Sequence, residues 1–378
     1  MKSVLLFFLF AANLAFAGQD TLTVMYYNIL NYDVVKLPYY KTIIGYTKAD
    51  IIVLNEVASD EASIAILNAI NEIGICNYSK VDFTDGVDKD NMLLYNADKL
   101  ALKMQDTIAT ELRLINRYLL YHINTNGDTA FMDFYSAHLK SSTGSGNAMQ
   151  RYRETKEFKN YVENQTEARN VFFGGDMNFY NYTTEPACQL LLDSGAVRFY
   201  DPIDKMGNWH DNPDYAITHT QSTRKRQFGG GASGGLDDRF DFIFTTSDIL
   251  NGNNRVRYID GTYIALGNDG LRLNDSLTAL PLSETVPDSI TYALYYSSDH
   301  LAVIMKVIVQ IKNMIGIPEA KKELGNLIDI EVYNTSGTLL FKGLRINAPA
   351  FVNEFILIRY NYQNGVITEK SIGLKNPI

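Results

Sequence analysis

Eight short runs of β-branched and aromatic residues, spread over almost three hundred positions, constrain this chain more than any other feature of its sequence. They are Thr21 to Tyr27, Ile51 to Leu54, Met92 to Tyr95, Tyr118 to Ile123, Phe131 to Ala137, Val171 to Phe173, Phe240 to Phe244 and Leu301 to Val309. Most are bounded by Asn, Asp or Gly, which is the pattern of strands closed by turns. Helical periodicity lies between some of them. Asp60 to Ile73 sets Ile64, Leu67 and Ile70 on one face, and the charged stretch Met149 to Asn164 turns Phe158, Tyr161 and Val162 inward. Strands and helices that alternate without a strict βαβ rhythm predict a mixed α/β domain.

The ends of these runs carry polar groups of one kind. Asn28 follows Val24 to Tyr27, Glu56 follows Ile51 to Asn55, and Asp176 and Asn178 follow Val171 to Gly175. Asp241 lies within Arg239 to Phe244, His138 closes Phe134 to Ala137, and Asp299-His300 opens the last run. Any one of them is accounted for by a turn or a helix cap. Together they are hard oxygen donors and imidazoles presented by a rigid sheet, without cysteine, and such donors suit Mg²⁺, Mn²⁺ or Ca²⁺.

Composition narrows the partners. The chain has 34 Lys and Arg against 43 Asp and Glu, a net charge of −9. It cannot bind nucleic acid through bulk electrostatics, which needs clustered cations. An enzyme that meets phosphate through a bound cation can still be acidic. The two cysteines, Cys76 and Cys188, are too few for a disulfide scaffold and fit either one bridge or two free thiols. The 25 Tyr and 19 Phe suit a large β-rich core or an exposed binding surface.

The residues at the run ends stand in stretches that resemble the endonuclease/exonuclease/phosphatase superfamily of metal-dependent phosphoesterases, deoxyribonucleases among them. The stretches are VMYYNIL, DIIVLNEV, YSAHLKSS, GGDMNFY, DDRFDFIF and SSDHLAV, in the family's order over residues 21 to 309. The resemblance implies a four-layer α/β sandwich of two packed mixed sheets flanked by helices. It implies Glu56 as principal Mg²⁺ ligand, with Asn28 and Asp299 beside the metal. It gives Asp176 the attacking water, Asn178 the phosphate, His300 an orienting partner in Asp241, and His138 a donor's place at the phosphoryl oxygen. Where family members carry Gln before the metal-binding Glu, this chain has Asn55. No counterpart stands out for the acid that orients the first histidine, with Asp88 and Asp90 the nearest candidates. The implied activity is phosphodiester hydrolysis, most directly of nucleic acid, by a monomer without membrane insertion. Hydrolysis of a phospholipid or small phosphoester on the same core is the alternative, and a non-catalytic surface-binding protein is a third reading.

Other features are read more plainly. Gly229 to Gly234 spells G-x-G-x-x-G but leads into a strand, so it is expected to be a loop and not a dinucleotide site. Thr223 to Arg226 is a solvated basic turn unless it touches a substrate phosphate. Trp209, His210 and His219 are candidates for substrate contact, His122 is expected to be structural, and Arg151 and Arg153 are expected on a helix surface. The long stretch between Asp241 and Asp299 reads as a loop excursion that sets specificity.

The two ends of the chain read separately from the domain at 18–312. Lys2, the apolar run Val4 to Ala12 and Ala15-Phe16-Ala17 form a secretory signal peptide over residues 1–17. The run is too short for the roughly 20 residues that span a bilayer. Export to the periplasm or the outside follows. Residues 318–378 read as a small all-β unit after a polar linker at Pro318 to Asn326, and this unit contains no His or Cys. On VYNTSGTLLFKG and NGVITEKSI it resembles the sorting domains of type IX secretion, which would imply the outer surface.

Overall fold

The computed structural model describes residues 18–124, 129–165, 169–311, 327–334, 336–343, 355–362 and 365–372. The expected leader at 1–17 and linker at 318–326 lie outside the described residues. Contacts gather Gln19–Ile311 into one compact unit and the C-terminal strands into another.

In the larger unit the strands are β1 Gly18–Asn28, β2 Ile51–Val57, β3 Tyr78–Lys80, β4 Asp90–Asn96, β5 Leu100–Ile108, β6 Ile115–His122 and β7 Phe131–His138. They continue as β8 Val171–Asp176, β9 Phe199–Tyr200, β10 Asp241–Thr246, β11 Val256–Tyr258, β12 Ile264–Ala265 and β13 Val303–Ile311. The helices are α1 Leu37–Thr47, α2 Asp60–Asn71, α3 Ser145–Glu163, α4 Pro186–Asp193, α5 Ser247–Asn251 and α6 Asp288–Ser297. One sheet has the order β11-β13-β1-β2-β4-β3, with β12 also on β13; the other has the order β5-β6-β7-β8-β10-β9. Both are mixed, with β1 parallel to β2 and β7 parallel to β8 among antiparallel neighbours.

Period-two alternation divides each strand between two cores. Met132, Phe134 and Phe172 turn into the space between the sheets, against Val24, Val53 and Leu93. Their neighbours Tyr135, Ala137 and Phe173 turn outward, against Phe158 and Val162 of α3 and Leu191 of α4. Tyr40, Ile43, Ile66, Ile70, Ile290 and Leu294 lay α1, α2 and α6 over the first sheet. The layers are therefore helix, sheet, sheet, helix, the sandwich expected of the sequence. Phe158 and Phe173 stack with centroids 3.8 Å apart, and truncating a phenylalanine buried in this way costs about 3–5 kcal/mol.

Several helices and strands escaped the reading by pattern. LPYYKTIIGYT and DSITYALYYS are rich in β-branched and aromatic residues, which favour strands in isolation, yet each buries one helical stripe on the first sheet. Part of the excursion after Asp241 belongs to the fold: β11 and β12 both pair with β13 and extend the first sheet.

The C-terminal unit is a four-stranded antiparallel sheet. Its strands β14 Leu327–Asn334, β15 Leu339–Gly343, β16 Phe355–Tyr362 and β17 Gly365–Ile372 take the order β15-β14-β16-β17.

Candidate active site

Three of the polar groups at strand ends stand in one row of the second sheet. The register pairs His138 of β7 with Asp176 of β8, and Asp176 with Asp241 of β10. Residues paired across neighbouring strands present their side chains on the same face, so this alignment brings an imidazole and two carboxylates together. Two glycines let the strands close beside Asp176. A Cβ on Gly174 would lie 2.5 Å from the Phe242 carbonyl, and one on Gly175, at φ +123°, would lie 2.1 Å from the Ala137 carbonyl.

The first sheet supplies Asn28 and Glu56. The β2–β4 register shifts between Asn55 and Val57, and Glu56 in this bulge has φ +65°, a strained conformation for a non-glycine residue. A bulge re-aims a side chain; here the carboxylate is turned toward the second sheet. Asn28 Nδ2 donates to Glu56 Oε1 at 3.3 Å and to Asp176 Oδ2 at 3.0 Å, while its carbonyl oxygen accepts from Leu30 N at 3.0 Å. Asn31 N donates to Glu56 Oε2 at 3.1 Å. The turn that carries Leu30 and Asn31, both with positive φ, is held by the buried ammonium of Lys36. That ammonium donates to the carbonyls of Ile29, Leu30 and Asn31 at 3.1, 2.6 and 3.0 Å. Asn55, the departure from the family pattern, ties the sheets together behind the site. Its Nδ2 donates to Ser136 Oγ at 3.1 Å and its Oδ1 accepts from Asp176 N at 3.0 Å.

Asp299 and His300 enter from the loop between α6 and β13. His300 Nδ1 lies 2.7 Å from Asp241 Oδ2, and its Nε2 lies 3.6 Å from Asp176 Oδ2. His138 Nε2 approaches the same Asp176 oxygen at 3.4 Å. Gln221, which no sequence pattern marks, donates from Nε2 to Asp299 Oδ2 at 3.1 Å and faces His300 Nε2 at 2.6 Å. Whichever way the Gln221 amide is turned, His300 Nδ1–H faces the Asp241 carboxylate and donates to it. The glycine segment after Phe228 closes over Asp299: Ala232 N donates to its Oδ2 at 2.6 Å.

Burial drives the electrostatics. It pushes the Asp176 carboxyl up to about 7, against the pull of His300 and with help from Asp241 and Glu56. Burial alone would lower His300, but Asp241, Asp176 and Asp299 outweigh it and hold the imidazole well above its ordinary range. His138 has no such partner. Burial, with Arg113, His300 and Lys89 nearby, holds it well below the ordinary range, and its Nδ1 is buried without a hydrogen bond. Asp88 pairs instead with Arg113 at 2.6 Å, and Asp90 accepts from Gly86 N at 2.8 Å, so neither orients His138.

The donor set fits a hard divalent cation. Glu56, Asp176, Asp241 and Asp299 line the site, and Asp299 Oδ1 is buried without a partner. Glu56 Oε2 draws Lys89 Nζ to 3.3 Å. Glu56 and Asp299 are the residues that would hold such an ion, while Asn28 acts on Glu56 as a donor. Asn178, at φ +50°, spends its amide nitrogen on the Leu139 carbonyl at 3.2 Å and so fixes the loop beside Asp176. Among the described residues, the group whose three ligand atoms all lie within 4.8 Å of one another is a separate one, His210, Asp237 and Asp238.

Several expectations are corrected. Trp209 is buried core and donates from Nε1 to the Phe179 carbonyl at 3.1 Å, and His219 is buried against the Trp209 carbonyl at 2.7 Å; neither reaches solvent. Arg224 is not a solvated turn residue. Its guanidinium is buried and donates to the carbonyls of Tyr295, Phe228 and Gly230. Arg151 is likewise inside, 2.8 Å from Glu185. His122 is structural as expected, buried at 3.0 Å from Asp20. Cys76 and Cys188 are free thiols. A cleft of about 420 Å³ lined by Arg117, Asp133 and Asn170 lies at the opposite strand ends, away from the histidines.

The fold and the site together define a two-sheet α/β sandwich with a buried acid–imidazole cluster at one edge. No family model matches the sequence, and no curated protein matches it. Solved structures of similar fold include the human nocturnin catalytic domain with bound sulfate anion, at 14% identity, TM-score 0.49, covering 76% of this chain and 97% of that one. They also include a mannosyl-6-phosphatase of Bacteroides thetaiotaomicron (15%, 0.48, 76% and 99%). An endonuclease/exonuclease/phosphatase family protein of the same organism is similar too (14%, 0.46, 77% and 96%). Likeness at this level says nothing of what this chain acts on.

Proposed function

We propose that this chain is a metal-dependent phosphodiesterase that hydrolyses nucleic acid outside the cytoplasm. The observation that carries the reading is the convergence of His138 and His300 on one oxygen of Asp176, with Asp241 behind His300. A carboxyl held near 7 is poised to take a proton at neutral pH. Asp176 accepts it from the attacking water as the new P–O bond forms and the bond to the leaving oxygen breaks. His138, kept neutral by burial, donates Nε2–H to the phosphoryl oxygen as charge builds there. His300, kept cationic by Asp241, Asp176 and Asp299, orients the phosphate and meets the negative charge that builds on it. Glu56 and Asp299 would hold a Mg²⁺, with Mn²⁺ or Ca²⁺ as substitutes, and such an ion would supply polarisation of the phosphoryl oxygen.

Residues 1–17 support export, and the C-terminal sheet, if it is a sorting domain, supports retention at the outer surface. A second reading, a small phosphorylated molecule as substrate, is favoured by one feature. A cleft of about 400 Å³ lined by Thr143, Ser145, Asn181 and Thr184 opens beside the loops that follow His138 and Asp176, and its hydroxyl and amide groups suit a polyhydroxylated compound. Incubation of the mature chain with single-stranded DNA, plasmid, RNA, sphingomyelin and sugar phosphates, with Mg²⁺ or EDTA, separates these readings. Mg²⁺-dependent cleavage of a nucleic acid is expected; turnover of a monoester or lipid alone would select the second reading.

A further inference from the structure

Next to the catalytic cluster lies an aromatic surface that the hydrolysis itself does not use. Tyr39, Tyr296 and Tyr292 form a row of near-parallel rings, Tyr39 to Tyr296 at 5.7 Å and 23° and Tyr296 to Tyr292 at 6.5 Å and 21°. Tyrosine rings in a core are covered, yet Tyr292 and Tyr296 are 43% and 44% exposed. Phe228 packs on Tyr296 at 5.9 Å, and the Arg224 guanidinium lies 4.0 Å from the Phe228 ring centroid. Arg224 also donates to the Tyr295 carbonyl, so the row and the glycine loop are held as one piece.

The surface is continuous with the site. Tyr296 stands three residues before Asp299. Phe228 stands three residues before Gly231, whose Cα faces the Asp299 carboxylate so closely that a Cβ there would lie 2.7 Å from it. Three Cα steps span at most about 11 Å. Beside the rings, Arg226 is exposed and makes no ion pair among the described residues, while Lys225 is tied to Asp275 at 3.3 Å. Half-exposed tyrosine rings with a cation that makes no ion pair among the described residues, set one short step from a phosphoester-cleaving centre, have the composition of a track for an unpaired strand. Bases stack on the rings and the backbone phosphate meets the arginine. A duplex, with its base faces already covered, offers such a surface nothing to stack.

Resting on the nuclease reading above, we propose that Tyr292, Tyr296 and Arg226 bind the single-stranded nucleic acid that flanks the scissile phosphate, stacking its bases beside Asp299. The test is fluorescence anisotropy with a fluorescein-labelled oligothymidylate, using the full chain carrying His300→Ala so that the strand stays intact. Tyr296→Leu is expected to weaken binding about tenfold, the loss of one stacked base, while Tyr296→Phe, which keeps the ring, retains it. A strand of the same length with abasic residues should bind as weakly to the parent as to Tyr296→Leu. Arg226→Ala should weaken both strands alike and flatten the salt dependence. Equal affinity of the parent for base-bearing and abasic strands, or an unchanged affinity in Tyr296→Leu, overturns the inference. Failure of the His300-containing enzyme to cleave any nucleic acid would instead sink the underlying reading, which separates the two.

Discussion

His300 Nδ1 sits 2.7 Å from Asp241 Oδ2 although 59 positions separate them in the chain; Asp241 opens β10 of the second sheet, and His300 stands in the loop before β13 of the first. The pair therefore exists only once the sandwich has closed, which makes it a direct report on the assembled site. Replacing Asp241 by Asn keeps the shape but removes the nearest of the carboxylates that hold the His300 imidazole charged. We expect Asp241→Asn to lower kcat by about 10²–10⁴ with little change in KM and a fold retained by circular dichroism. Steady-state kinetics on a nucleic-acid substrate checks the split.

Lys89 occupies the Glu56 carboxylate from a loop pinned by the Asp88–Arg113 pair. A tethered ammonium competes with a divalent cation for the same oxygen, so Lys89→Met should bind Mg²⁺ or Mn²⁺ more tightly than the parent. Glu56→Gln should bind it more weakly. Calorimetric titration reads both without any substrate; equal affinities in all three proteins would contradict the assignment of Glu56.

The strand ends were legible in the sequence because an apolar strand that stops in Asn, His or Asp sets one polar side chain at the edge of its sheet, as Asn28, His138 and Asp176 show. Their convergence was legible only through the resemblance, since the register that aligns His138, Asp176 and Asp241 is a property of three strands together. Gln221 was not legible: it lies outside any strand, in a segment whose isolated bridges to Asp238 and His300 depend on folding. Arg224 and Arg151 were misread for a shared reason. Nothing local shows that a guanidinium will find several carbonyls, or a buried Glu185, to satisfy it inside.

Asp176 also predicts how stability depends on pH. Its carboxyl, ordinarily near 4, titrates at about 7 in the fold, so between those values the native state holds a proton that the unfolded chain has released. Stability contributed by the neutral form is then lost as pH rises through that window. In the metal-free protein, Asp176→Asn should remove this loss, so its thermal midpoint relative to the parent should increase from about pH 4 to pH 7. A constant difference across the series would contradict the raised value.

Gly231 has φ +79°, and a Cβ on it would lie 2.7 Å from the Asp299 carboxylate and 2.8 Å from Leu30. Gly231→Ala must move that carboxylate or the loop, besides costing roughly 1–2 kcal/mol for the left-handed backbone. The expected outcome is at least a tenfold lower kcat/KM with a small drop in thermal midpoint, whereas Gly230→Ala, with open space around its Cβ position, should show the midpoint drop alone.

The most direct test of the central claim is the rate of phosphodiester cleavage by the mature chain as Mg²⁺ is titrated from an EDTA-treated state, run beside His300→Ala. A rate that is absent without metal, saturates with it, and falls by about 10² or more in the variant is the predicted result. Cleavage that persists in EDTA, or that is undiminished in His300→Ala, would contradict the claim that this cluster is the catalytic centre.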